Sequence, residues 1–73
     1  MTRNEIEERI AHIRRIAGDD EAGDDEAAHS YEDALRSDFL TAIANGKVAP
    51  IYIEELAQLV LTTAGIKFRR WYA

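Results

Sequence analysis

The sequence predicts an all-α fold, a small three-helix domain with a short C-terminal tail that is both aromatic and basic. Three observations predict it. Apolar residues recur at spacings of three and four in three separate stretches, the signature of helical faces. Glycine-based stops, Gly18, Asn45-Gly46 and Gly65, follow each stretch. Pro50 sits where a third helix would begin, a position at which its missing amide hydrogen costs nothing.

The first helix is expected over about 3–17. Thr2 and Glu5 fit a capping box, and Ile6, Ile10, Ile13 and Ala17 share one face. Acids Glu5, Glu7 and Glu8 at its start and bases Arg14 and Arg15 at its end complement the helix dipole, and Glu5 is placed to pair with Arg9. An acidic connection over 18–27 follows. It consists of two copies of one pentapeptide, Gly18-Asp-Asp-Glu-Ala22 and Gly23-Asp-Asp-Glu-Ala27, with Asp19, Asp20, Asp24 and Asp25 all able to cap the next helix.

The second helix, expected over 24–45, carries the stripe Ala28, Tyr31, Leu35, Phe39 and Ala42, joined by Ala34, Leu40 and Ile43. Glu32 and Arg36 read as an exposed pair one turn apart. The third helix is expected over 51–64. Its run Leu56, Ala57, Leu59, Val60, Leu61 is apolar on more than one side, the pattern of a helix contacted from two directions. Val48, Ile51 and Ile53 would also suit a short β segment, but Pro50 in their midst weakens that reading. Residues 66–73 alternate too briefly to decide between an extended arm and a helical turn. The expected core or interface set is Ile6, Ile10, Ile13, Tyr31, Leu35, Phe39, Leu56, Val60, Phe68 and Trp71.

Seventy-three residues suffice for one domain and one modest core, so a monomer starts near the margin of stability and self-association is a live expectation. Without cysteine the chain has no disulfide, thiolate metal site or cysteine nucleophile, which suits a reducing cytoplasm. The net charge is −5 and uneven. Residues 19–33 hold eight acids and no Lys or Arg, so the remainder carries +3. That balance argues against a general nucleic-acid binder, which needs a dominant basic face. No stretch reads as a signal peptide, and Leu56 to Ala64 falls far short of a bilayer span.

The string Asp24-Asp-Glu-Ala-Ala-His-Ser-Tyr-Glu-Asp-Ala-Leu-Arg-Ser-Asp-Phe-Leu, then Ala42-Ile-Ala-Asn-Gly, then Ile66-Lys-Phe-Arg-Arg-Trp-Tyr-Ala, resembles small helical proteins of actinobacteria and their phages. Those tend to carry an acidic segment with Ala-His, an Ala-Ile-Ala near a helix end and a closing Phe-x-Arg-Trp. The resemblance spans about two thirds of the chain. It implies a bacterial or infected bacterial cell and a phage accessory protein, and it brings no activity and no site residues. The tandem pentapeptide departs from the usual pattern, against any role needing a fixed length between the first two helices.

For chemistry, Glu26-Ala-Ala-His29 matches the Glu-x-x-His that projects two ligands from a helix in carboxylate-bridged metal sites, with a symmetric dimer to supply the second copy and Glu8 or His12 as additional ligands. One copy is half a site, and a surface histidine among solvated acids is the favoured reading, so neither metal nor cofactor is expected. No calcium loop, nucleophile elbow, phosphate-binding glycine loop or cofactor fingerprint is present, and an enzyme is not expected. Glu54 to Ile66 resembles the start of a helix-turn-helix, but too little chain follows for a recognition helix. Lys67, Phe68, Arg69, Arg70, Trp71 and Tyr72 would suit single-stranded nucleic acid, yet aromatics covering the core while bases pair with acids suits the acidic chain better.

The expected function is therefore a non-enzymatic interaction module that associates with itself through Leu56, Leu59, Val60, Leu61, Phe68, Trp71 and Tyr72. The acidic residues Asp19, Asp20, Glu21, Asp24, Asp25 and Glu26 face outward, where they would meet a basic partner or mimic a phosphate backbone as an inhibitor of a host protein. A dimeric metal-carboxylate protein is the alternative from another class.

Overall fold

A computed structural model describes residues 1–18 and 24–70. Among them lie three α-helices, α1 (Arg3–Gly18), α2 (Asp25–Ala44) and α3 (Ile53–Leu61), and no strand. The fold class read from the sequence is the one the chain adopts. At the head of α1 the Thr2 hydroxyl accepts from the Glu5 amide at 3.2 Å, so Thr2 caps the helix as expected, while the Glu5 carboxylate accepts from the Thr2 hydroxyl in place of the Thr2 amide that a full capping box would use. Ile6, Ile10 and Ile13 are buried along one side.

Asp24 caps α2, its carboxylate accepting from the Ala27 amide at 3.0 Å, which selects one of the four aspartates left open by the sequence. The Asp24 amide donates to the Ile16 carbonyl at 2.9 Å and ties the start of α2 to the last turn of α1. At the other end Gly46 has a φ of 70°, its amide donates to Ile43 and the Lys47 amide donates to Ala42 at 2.8 Å. This paired closure needs a left-handed residue, which is why glycine stands there.

Two 3₁₀ segments flank α3: Pro50–Tyr52 leads in and Thr62–Gly65 leads out. The single helix expected over 51–64 is thus an α-helix of nine residues with a tighter turn at each end. At the exit the cause is local. The Thr62 and Thr63 hydroxyls donate back to the Leu59 and Val60 carbonyls, at 2.6 and 3.1 Å, and so compete with helical continuation.

α1 packs mainly on α2, and α3 lies against both. The core between them holds the three α1 isoleucines, Ala28, Leu35 and Phe39 of α2, Val48 of the connection, and Leu56 and Val60 of α3. Phe68 packs against its edge. Across the surface Arg3 meets Glu7 and Glu55, and Arg9 meets Asp38 at 2.9 Å. The expected Glu5–Arg9 pair is therefore replaced: Glu5 is engaged by Thr2, and Arg9 reaches across to α2 instead.

Two further expectations are overturned on α2. Tyr31, expected in the core or an interface, stands outside the core: it is 46% exposed and meets His12 edge-on with ring centroids 4.8 Å apart. Glu32, placed outside, is 2% exposed. The inward register of the helix runs Ala28, Glu32, Leu35, Phe39, at spacings of four, three and four, and Tyr31 falls one position off it. Leu40, expected to join the apolar stripe, lies on the surface.

Candidate functional site

α2 carries two features that the sequence did not announce. The first is the setting of Glu32. A carboxylate in a core needs charged and hydrogen-bonding partners, because an isolated buried charge is very costly. Arg70 supplies them in bidentate form: its Nε donates to Glu32 Oε1 at 2.9 Å and its Nη2 to Oε2 at 3.0 Å. The same guanidinium donates to the carbonyls of Thr63, Ile66 and Phe68 and lies 3.8 Å over the Phe68 ring. Residues 66–70 are thereby strapped across α2, and their outgoing carbonyls are satisfied by the side chain that anchors them.

Arg36, one turn along from Glu32, places Nη2 3.5 Å from the carboxylate and donates to the Thr63 hydroxyl at 3.1 Å. Its Nε is buried without a hydrogen-bond partner. The one hydrogen of the Thr63 hydroxyl has two acceptors in reach, the Val60 carbonyl and the Glu32 carboxylate. Burial alone pushes the Glu32 carboxyl up. The Arg70 and Thr63 hydrogen bonds, with the charges of Arg36 and Arg70, outweigh it and hold the group below the ordinary carboxylate value of 4.5. A carboxylate so enclosed, ionised and donor-saturated is a poor proton acceptor. Its role is to hold the strap.

The second feature is an open groove of about 260 Å³ between α2 and α3. Phe39, Leu40 and Ile43 form one wall and Ala57, Val60 and Leu61 the other, with Arg36 at one end. Leu40 is 66% exposed and Leu61 60%. Apart from Arg36 the walls offer no polar side chain, so the groove has the chemistry of a packing surface and lacks convergent catalytic groups.

The residues expected to act are distributed differently. Leu56 and Val60, assigned to the interface, are buried in the chain's own core; Leu59 and Phe68 are half-buried, and Leu61 is exposed. Trp71 and Tyr72 lie outside the described residues, as do Asp19, Asp20 and Glu21. Of the acidic set that is described, Asp24 is engaged as a cap, Asp25 is half-buried and Glu26 is exposed. His29 Nε2 sits 3.3 Å from Asp33 Oδ2, and His12 contacts Tyr31 and Arg15. Among the described residues no three His, Cys, Asp or Glu side chains gather as a metal-ligand group, and no helix is long and apolar enough to cross a membrane.

Glu32 had a partial signal: it continues a four–three–four spacing with Ala28, Leu35 and Phe39, but the same stripe also admits Tyr31. For Arg70 the sequence offered the general expectation that the tail bases pair with acids of the chain, without singling out Glu32. Comparisons with known proteins add no further constraint on this surface: no family model matches the chain, and no significant match is found among curated proteins or solved structures.

Proposed function

We propose that the chain is a non-enzymatic protein–protein interaction module that associates with itself through the α2–α3 face. The observation that carries this reading is the exposure of Leu40 and Leu61 on facing sides of a groove whose lining is apolar apart from Arg36. Large apolar side chains grouped around a hollow are the common anatomy of an interface centre. A small domain gains proportionally more from such burial than a large one, because its own core is limited. The surface differs from the one drawn from the sequence in having α2 as a full partner and in leaving Leu56 and Val60 to the core. A cytoplasmic setting in a bacterial or infected bacterial cell, and an accessory role of the kind phages encode, go with this reading.

Sedimentation equilibrium across a concentration series tests it. The expected result is a mass that rises from monomer toward dimer, with the rise shifted to higher concentration in Leu61→Ser. A monomer mass at every concentration counts against the reading.

A further inference from the structure

We propose, building on self-association through this groove, that the partner is a second copy laid antiparallel across it, related by a two-fold axis near Leu40. Arg36 of each copy then meets Glu54 of the other. The argument begins with the ends of the groove. α3 runs back along α2, so that Thr63 lies beside Arg36 while Ala57 and Ile43 line the same hollow. Arg36 thus marks one end.

Glu54 marks the other. It lies three residues before Ala57 and seven before Leu61, on the same face of α3, and about 13 Å back from Thr63 at helical rise. It is exposed, and its carboxylate makes no hydrogen bond or ion pair among the described residues. At the opposite end, Glu32 is already held bidentately by Arg70, and Arg36 spends only its Nη2 inward, 3.5 Å from Glu32 and donating to Thr63, so that its Nη1 makes no hydrogen bond or ion pair among the described residues. A strip that is positive at one end, apolar in the middle and negative at the other is complementary to itself when turned end for end. An isologous two-fold contact performs that operation.

The axis falls midway between the charged ends, at the level of Leu40 on α2 and Gln58 on α3, with Leu61 close by. The two leucines of one copy are then set against the groove of the other. The same geometry disfavours a parallel pairing, which would set Arg36 against Arg36 and Glu54 against Glu54. It also requires of the partner only what this chain already displays.

Equilibrium sedimentation of the full chain separates the outcomes. The wild-type chain is expected to dimerise by about 100 µM, an ordinary affinity for a surface of this size. Glu54→Lys alters an exposed residue outside the core, so circular dichroism should be unchanged while dimerisation weakens about tenfold or more. Arg36→Glu alone should weaken it likewise, and an equimolar mixture of the two variants should restore dimers, since each presents the charge the other lacks. If Arg36→Glu fails to fold beside Glu32, a cycle of Arg36→Gln, Glu54→Gln and the double variant takes its place. The double variant is then expected to be no weaker than either single one. A wild-type chain that stays monomeric overturns self-association itself. A wild-type dimer left equally tight by Glu54→Lys keeps self-association and overturns the antiparallel arrangement.

Discussion

Within two turns of α2 the usual distribution of side chains is reversed: Glu32 is enclosed and Leu40 stands in solvent. The two positions differ in what the rest of the chain brings to them. At Glu32 the path of residues 66–70 delivers a guanidinium and Thr63 a hydroxyl, and Arg36 lies one turn away. A charge there is cheaper to bury than to strand. At Leu40 no described segment crosses the α2–α3 seam, so the apolar wall stays open. Exposure in this molecule follows the supply of covering chain more closely than it follows the polarity of the residue being covered.

The largest effect is expected where that supply is most specific. Glu32→Ala leaves Arg70 and Arg36 facing one another in a half-buried site, and we expect a loss of about 3 kcal/mol, read as a fall in melting temperature of about 10–20 °C. Replacing both partners, Glu32→Leu with Arg70→Met, should recover to within about 1 kcal/mol of the wild type, because a packed apolar pair needs no charge compensation. A double variant as unstable as Glu32→Ala would mean that the carbonyls of Thr63, Ile66 and Phe68, and not Glu32, are the essential partners of Arg70.

Acid should act on the same group more gradually. The Glu32 carboxyl is held below its ordinary value of 4.5 in the folded chain, so its contribution is complete above about pH 4.5 and is lost as pH falls through the lower folded value. Urea midpoints between pH 6 and about pH 3 should decline, and the decline should be shallower in the Glu32→Leu/Arg70→Met chain. Parallel declines in both would show that the acid sensitivity does not come from Glu32.

Away from this cluster, the caps were legible in the sequence because they are local. Thr2 and Glu5 are three residues apart, Asp24 meets the amide three residues on, and Gly46 is needed for its own backbone angle. Asp24→Ala should accordingly cost about 1 kcal/mol by thermal melting, an ordinary cap deletion. The α1 face was equally plain, since Ile6, Ile10 and Ile13 have no competitor for the inward side. On α2 the choice between Tyr31 and Glu32 turned on Arg70, thirty-eight residues from Glu32, and no rule of local spacing reaches that far. The groove was half legible. A third helix apolar on two sides implied a second contact, but which leucines the core would consume depended on how α3 settles against α2.

The smallest effect is expected at Leu40, and its smallness is the informative part. Leu35 and Leu40 are both leucines of α2, one fully enclosed and the other largely exposed. Leu35→Ala should cost about 3 kcal/mol, the transfer of a buried side chain plus the cavity left behind. Leu40→Gln removes little that the single chain encloses and keeps a good helix former, so at sub-micromolar concentration its urea midpoint should correspond to a change within about 0.5 kcal/mol. At high concentration the two chains should part: the wild-type midpoint rises with protein concentration as folded chains are drawn into dimers, and the Leu40→Gln midpoint does not. If Leu40→Gln instead lowers the dilute midpoint as far as Leu35→Ala does, then Leu40 is covered within a single copy, and the groove is an internal packing site with no second copy to receive.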